Sequence, residues 1–215
     1  MTRKIKQDNE HLISDQRRHA HYWAFDEGLT SAYYLAGSSL AEISRYHATL
    51  HQLFEQVLAD IPCPRQQTSQ PWDWHPLLDS DDVRAGVLTV YPGHAIPLHD
   101  HPGSTGLLIV LEADVTIRQY DLSTPAKHKP LHRPVELTML HEYRFSPAGY
   151  TVFGPCSGNI HTLEAGDKPC TLFDVLLAPY RDHERSWYMP LQDSSDDPAC
   201  VHAIRLKNPF ELDKG

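Results

Sequence analysis

The second part of the chain consists of short apolar runs separated by turn residues, and this pattern limits the folds open to it. From Val83 onward, runs rich in Val, Ile, Leu, Thr, Tyr and Phe alternate with Pro, Gly, Asn and Asp. Such spacing is typical of an antiparallel sandwich or a small barrel. The expected strands are Val83 to Tyr91, Leu98 to His101, Leu107 to Leu111, Val115 to Tyr120, Val135 to Leu140, Tyr150 to Phe153, Asn159 to Glu164, Thr171 to Leu177 and Trp187 to Leu191, with a last run from Val201 to Leu206. The fold class is therefore predicted to be mainly β, as a double-sheet jelly roll.

The first part of the chain reads as helix. Ser39 and Glu42 form a capping box, and apolar residues then recur at helical spacing until Ile61 and Pro62. We also expect a short helix from Ser31 to Ala36, ended by Gly37, and a solvated N-terminus before it. An apolar helical face of this kind is expected to cover a sheet.

These patterns divide the chain into three segments within one compact domain. Residues 1–61 form the helical segment, 62–82 a Pro- and Gln-rich connecting loop, and 83–215 the β-barrel. The 17 Pro and 11 Gly among 215 residues argue against a long helical bundle.

Charge and composition restrict the partners and the compartment. The formal net charge of −9, without a basic patch, argues against nucleic acid and anionic membrane surfaces as partners. No run of apolar residues is long enough for a membrane span, and the first 30 residues lack the apolar core of a signal peptide. Four cysteines without a CxxC pair indicate neither a zinc knuckle nor a disulfide framework, and we expect ordinary buried thiols in a reducing cytoplasm. A monomer is the simplest expectation for the oligomeric state.

The segment Pro92-Gly93-His94-Ala95-Ile96-Pro97-Leu98-His99-Asp100-His101-Pro102-Gly103 carries the most specific chemical signal. On a strand, the period of two places His99 and His101 on one face, roughly 7 Å apart along the chain, while Asp100 points away. Two imidazoles so placed can converge on one metal ion. Pro102-Gly103 ends the strand directly after the pair.

A third histidine follows about 60 residues later, in Gly158-Asn159-Ile160-His161. A turn at Gly158-Asn159 opens another strand and would deliver His161 to the same place. Three neutral imidazoles on one face leave about half of an octahedral shell open, which suits a ferrous oxygenase. The other twelve of the 15 histidines are interpreted as ordinary surface or core residues.

Three segments resemble the cupin thiol dioxygenases, the group of cysteamine dioxygenase and the plant cysteine oxidases. They are IPLHDHPG within Leu88 to Tyr120, NIHTLEA from Asn159 to Ala165, and FDVLLAPY from Phe173 to Tyr180. The resemblance implies a double-stranded β-helix, the cupin barrel, with the N-terminal helical segment packed against it. It also implies Fe(II) held by His99, His101 and His161.

In the general cupin signature, three or four residues separate the second histidine from a glutamate, and this chain has Thr105 and Gly106 at those positions. The missing carboxylate is a mark of the three-histidine thiol dioxygenases. A thiolate substrate brings its own negative charge, so neutral ligands leave that charge to the substrate. The implied reaction adds both atoms of O2 to a thiol sulfur and gives a sulfinic acid. The implied substrate is a small aminothiol such as cysteamine, or the N-terminal cysteine of a peptide.

Two further residues are assigned by the resemblance. Asp174 matches an acidic residue near the metal, where it could orient a histidine N–H. Tyr188 matches a pocket tyrosine that some relatives cross-link to a cysteine two residues earlier; Ser186 stands there in this chain, which excludes the cross-link. Asp174 on a solvent-facing position and Tyr188 as a packing residue are the alternatives. Arg84 and Arg118 are on strands whose facing the sequence does not fix.

Two other functions fit the same motifs. One is a different cupin oxygenase or isomerase that uses Mn, Ni or Zn on a non-thiol substrate. The other is a non-catalytic cupin that binds a small ligand and acts as a sensor.

Overall fold

The computed structural model describes residues 2–37, 40–61, 71–123, 131–177, 185–191, 197 and 199–207, with only the backbone for 2–14 and 40–44. The described residues form two helices and eleven strands. The helices are α1 Thr2–Ala36 and α2 Leu40–Ala59. The strands are β1 Trp72–Asp79, β2 Val83–Val90, β3 Ala95–His99, β4 Thr105–Glu112, β5 Val115–Leu122, β6 Pro134–Phe145, β7 Tyr150–Phe153, β8 Ile160–Ala165, β9 Cys170–Leu177, β10 Trp187–Pro190 and β11 Cys200–Leu206.

The strands are arranged in two antiparallel sheets. The first sheet has the order β1-β2-β9-β4-β7. The second has the order β10-β11-β6-β5-β8-β3 and closes into a barrel, because β10 pairs with β3 where Trp187 lies opposite His99. The fold is the double-stranded β-helix of the cupins, and the predicted fold class is confirmed.

The described residues form three apolar cores: one between the helices and the first sheet, one between the two sheets, and one inside the closed barrel. In β9, which is buried along its whole length, Phe173 and Val175 point to the helices, whereas Leu172, Asp174 and Leu176 point to the second sheet. We call the space between the two sheets the inner layer. The third core lies inside the closed barrel, on the other face of the second sheet, and includes residues from β3, β5, β6, β8, β10 and β11.

The helices cover the outer face of the first sheet. Phe25 of α1 stacks on Phe54 of α2 with ring centroids 4.6 Å apart, and both rings contact Phe173 of β9. The expected packing of the helical segment on a sheet is therefore confirmed. No described helix is both long enough and apolar enough to cross a membrane.

The helical boundaries differ from the prediction in one respect. The second helix lies within the predicted limits, although Ser39 of the capping box is outside the described residues. Gly37 ends α1 with a left-handed φ of 64°, as expected. The predicted helix from Ser31 to Ala36 was too short, because α1 runs from Thr2 without a break. Residues 15–20 of this helix are exposed, as expected for a solvated segment. Residues 2–27 contain neither Pro nor Gly, so nothing in the backbone interrupts the helix.

The predicted loop at 62–82 is wrong for its second half. Residues 62–70 lie outside the described residues, but Trp72–Asp79 forms β1. This strand is at the edge of the first sheet and pairs only with β2, and its register shifts between Pro76 and Leu78. An edge strand with a bulge tolerates a proline, which is why the breaker residues gave a misleading signal.

The aromatic contact between the helices and the sheet gives a test of this packing. Phe25→Ala removes a fully buried ring and should lower the free energy of unfolding by about 3–5 kcal/mol. Tyr34→Ala on the same helix, where the side chain is 86% exposed, should change it by less than about 0.5 kcal/mol. Urea denaturation measures both. Equal losses for the two variants would contradict the packing of α1 on the first sheet.

Candidate metal centre

Three histidines meet in the inner layer. His99 ends β3 and lies opposite His161 of β8, and His101 follows two residues after His99. The ring centroids of the three imidazoles are 4.5–4.9 Å apart, and one nitrogen of each lies within 4.8 Å of the others. All three side chains are buried. The structure thus brings together the three residues that the sequence selected, in an arrangement that could hold a metal ion.

Burial keeps these imidazoles neutral. Loss of hydration lowers the pKa of His99 and of His101 well below the usual value, and lowers that of His161 to about 3. The positive charge of Arg185 lowers all three further. Nδ1 of His99 lies 2.8 Å from the carbonyl oxygen of Pro97 and donates to it, which leaves Nε2 as the free acceptor. A neutral imidazole with a free Nε2 is the form that binds a metal.

His101 is positioned differently from the prediction. The expected strand Leu98 to His101 is β3 Ala95–His99, so His101 lies beyond its end. The buried amide of Asn159 holds it instead: Oδ1 accepts from the backbone N–H of His101 at 2.7 Å. Nδ2 of Asn159 donates to the carbonyl oxygens of His101, Gly154 and Ser104 at 2.9–3.2 Å. The Asn159 side chain therefore fixes the turn that carries His101. Asn159 itself is two residues before His161 in the sequence.

The ring of Phe153 lies against the histidine cluster. It packs on His101 and His161, with ring centroids 5.2 and 4.6 Å away. A Cβ atom built on Gly106 would collide with this ring. Gly106 stands at one of the positions where the cupin signature has its glutamate, so the phenyl ring takes the space that a carboxylate side chain would need.

Asp174 is buried and faces the inner layer, which excludes the solvent-facing alternative. Burial raises its pKa to about 7, although Arg185 and Arg84 oppose the shift. Among the described residues, four buried side-chain polar atoms lack a hydrogen-bond partner, and two of them are Oδ1 of Asp174 and Nδ1 of His161. Unsatisfied buried polar groups are costly, and they concentrate where a site is built for function and not for stability.

Tyr188 lies on the other face of the second sheet from the imidazoles. Its neighbour Trp187 packs on His99, with ring centroids 5.1 Å apart, whereas Tyr188 belongs to the core inside the barrel. The Tyr188 hydroxyl donates to Oδ2 of Asp100 at 2.8 Å, and the backbone N–H of Ser186 donates to Oδ1 at 2.6 Å. Tyr188 therefore contacts the residue between two of the histidines and not the histidines themselves.

The three arginines near the barrel have different surroundings. Arg118 pairs with Glu142 and Glu164 at the surface, and Arg84 pairs with Asp79 at 3.1 Å. Arg185, which the sequence analysis missed, lies with its guanidinium 5.6 Å from the ring centroid of Trp187. No sequence motif marks this residue, because its place beside Trp187 depends on tertiary packing.

A cavity of about 420 Å³ lies beside the site. Gln119 and Phe153 line it on the inner side, and Tyr143 and Tyr150 are among the residues that line it further out. Phe153 therefore contacts both the cavity and the imidazoles, and none of the three histidines is among the residues that line the cavity. The volume is in the range of small-molecule sites.

Comparison with known proteins agrees with this geometry. The sequence model of the PCO_ADO family matches residues 42–202, three quarters of the chain. The chain belongs to the PCO_ADO family. The predicted resemblance is confirmed, and the match includes all three histidines, Asp174 and Tyr188.

Curated relatives share moderate identity with this PCO_ADO member. Over 138 residues it is 32% identical to 2-aminoethanethiol dioxygenase of Mus musculus, and the aligned region covers 56% of this chain and 54% of that protein. It is 27% identical over 119 residues to plant cysteine oxidase 1 of Arabidopsis thaliana, covering 55% and 40%. The chain thus spans about half the length of the curated relatives it matches. A solved cupin superfamily protein from Desulfitobacterium hafniense aligns with 56% of this chain and 86% of its own at 14% identity, with a TM-score of 0.39.

The contact between Gly106 and Phe153 can be tested in a double-mutant cycle. Gly106→Ala should lower the free energy of unfolding by about 1–3 kcal/mol, because the ring is held by the histidines and cannot move away. Adding Phe153→Leu should recover part of that loss. Gly154→Ala is the control, because its new Cβ would meet nothing closer than 4.0 Å. Additive effects of the two substitutions, measured by urea denaturation, would exclude the contact.

The raised pKa of the buried Asp174 carboxyl should make the stability of the metal-free protein depend on pH. Its carboxyl ionises near 3.9 in the unfolded chain but near 7 in the folded one. The folded state therefore holds the extra proton, and the wild type should lose stability relative to Asp174→Asn as the pH rises from about 4 to about 7. The slope is at most about 1.4 kcal/mol per pH unit, and the difference levels off above pH 7. A difference that stays constant between pH 4 and 8 would contradict the assignment.

Proposed function

We propose that this protein is a thiol dioxygenase that holds Fe(II) with His99, His101 and His161. The observation that carries the proposal is a cluster of three buried, neutral imidazoles with a phenyl ring where a fourth, anionic ligand would enter. Membership in the PCO_ADO family supports it, as do relatives named 2-aminoethanethiol dioxygenase and plant cysteine oxidase 1.

The donor set fits ferrous iron in a thiol-oxidising site. Imidazole suits iron among other first-row metals, and three protein ligands leave positions open. Iron bound there supplies the redox centre at which O2 and a thiolate can react. Because all three ligands are neutral, the cation keeps its full charge for a substrate that arrives as an anion. The unsatisfied Nδ1 of His161 is consistent with a site that uses the other nitrogen, Nε2, for the metal.

The surrounding side chains prepare the site for an anionic sulfur. Phe153 and Trp187 pack on the imidazoles and exclude water, which strengthens electrostatic interactions in the inner layer. Arg185, held over the ring of Trp187, adds positive potential that favours a thiolate over a thiol. Oδ1 of Asp174 and Nδ1 of His161 are both buried without a hydrogen-bond partner, so they make no direct bond in this structure. Asp174 is proposed to orient His161 once the metal is bound.

Tyr188 is proposed to act on the site through Asp100. Its hydrogen bond to that carboxylate, together with the one from the backbone of Ser186, fixes the residue between His99 and His101. Nε of Arg205 donates to the Ser186 hydroxyl at 2.8 Å and extends the same network. Tyr188 is therefore a positioning residue for the ligand turn in this proposal.

The proposed reaction balances without a further reductant. A thiol RSH and one O2 give the sulfinic acid RSO2H: two S–O bonds form, the O–O bond breaks, and the proton stays on the product. The sulfur loses four electrons and O2 gains four. The proposed substrates are a small aminothiol such as cysteamine or the N-terminal cysteine of a peptide. Cytoplasmic location, a monomeric state and the absence of nucleic-acid partners stay predictions of the sequence.

Oxygen uptake with a panel of thiols tests the proposal. The iron-loaded protein should consume O2 with at least one of cysteamine, cysteine, 3-mercaptopropionate and a peptide that begins with cysteine. Mass spectrometry should find a product that has gained two oxygen atoms. Absence of uptake with all four thiols, in protein shown to contain iron, would refute a thiol dioxygenase and favour another cupin chemistry or a sensor.

Single histidine variants test the ligand assignment. His161→Ala should lose iron and turnover together. The loss should exceed the ~100-fold effect of removing a residue that only hydrogen-bonds to a metal ligand. His94→Ala is the matched control, since His94 is exposed and should keep both iron and activity. Iron content is measured by plasma emission and turnover by oxygen electrode. Full activity in His161→Ala would exclude the three-histidine site.

A further inference from the structure

A second group of metal-binding side chains lies on the paired strands β11 and β6. Cys200 and His202 are two residues apart on β11, so both point to the same face of the sheet. Glu136 of β6 lies directly opposite His202 in the antiparallel register. The alternating residues, among them Leu137 and Ala203, point to the core inside the barrel. The three polar side chains therefore share the outward face of this strand pair.

The donor atoms are already close enough for a common ion. Nε2 of His202 lies 3.5 Å from Oε2 of Glu136, and the three donor atoms of Glu136, Cys200 and His202 all lie within 4.8 Å of one another. Two ligands of a tetrahedral zinc ion at about 2.1 Å from the metal are about 3.4 Å apart. The carboxylate and imidazole thus have the separation they need, and side-chain rotation alone can bring in the thiol. The backbone pairing of β11 with β6 stays in register during this rotation.

The donor chemistry indicates which cation fits. A thiolate and an imidazole select zinc and similar late first-row ions over Mg²⁺ and Ca²⁺, which prefer oxygen ligands. Two of the three ligands are anionic when bound, so they neutralise a divalent charge. The side chains of His202 and Glu136 are 39% and 51% exposed, which gives an ion free access and leaves room for water as the fourth ligand.

We propose that Glu136, Cys200 and His202 form a surface site for a zinc-class divalent cation, separate from the three-histidine centre. The two centres use different strands, β11 and β6 for this one against β3 and β8 for the other. They also differ in chemistry, because the surface site contains sulfur and the histidine centre does not. Zinc bound at this site would cap the Cys200 thiol and cross-link the two strands.

Cobalt(II) titration tests the site with a signal that only sulfur ligation gives. The reduced protein should develop a thiolate-to-cobalt charge-transfer band in the near ultraviolet, and added Zn²⁺ should remove it. Cys200→Ser should abolish the band. His202→Ala and Glu136→Gln should weaken the affinity for cobalt by at least about 10-fold.

Two matched variants assign the band to this site. Cys156→Ser changes another free cysteine, an exposed one, and should leave the band intact. His161→Ala should also keep it, because the histidine centre has no sulfur ligand. Melting temperatures of all variants establish that they are folded.

Four outcomes would overturn the proposal. They are no band in the wild type, a band that survives Cys200→Ser, unchanged affinity in both His202→Ala and Glu136→Gln, and loss of the band in His161→Ala. Unchanged affinity in those two variants would mean that His202 and Glu136 form only an ion pair beside a free thiol. None of these results bears on thiol oxidation at the three-histidine centre.

Discussion

The pairing of β3 with β8 sets the position of the imidazoles in the candidate metal centre. It places His99 opposite His161, and the side chain of Asn159, directly before β8, accepts a hydrogen bond from the backbone N–H of His101 and holds that residue beside them. The same pairing forms part of the closed barrel, so His99 and His161 are fixed by backbone hydrogen bonds of the fold. Packing the first sheet over this region then removes water and keeps the imidazoles neutral.

The burial that prepares the site also has a cost. Oδ1 of the buried Asp174 carboxyl and Nδ1 of the buried His161 imidazole have no partner among the described residues. Arg185 adds a positive charge whose field reaches the three histidines. The helices on the outer face of the first sheet, with Phe25, Phe54 and Phe173 in contact, supply apolar burial that offsets such local losses.

Much of this arrangement can be predicted from local sequence signals. The β-type runs, the second helix and the three histidines follow from periodicity, turn residues and motif spacing. Strand β1 could not be predicted, since a proline in an edge strand looks like a loop. The position of His101 depends on the amide of Asn159, a contact between residues 58 positions apart. Arg185 and the bond from Tyr188 to Asp100 likewise depend on tertiary packing, which no local pattern reports.

The close fit between Gly106 and the Phe153 ring has an evolutionary consequence. A single substitution at position 106 cannot add a carboxylate ligand, because the ring already fills the space. A single loss of the ring adds no ligand either. Conversion to a four-ligand cupin would require both changes at once, and each intermediate would be less stable or incomplete. Steric contact between these two residues therefore keeps a carboxylate ligand out of the candidate metal centre during evolution.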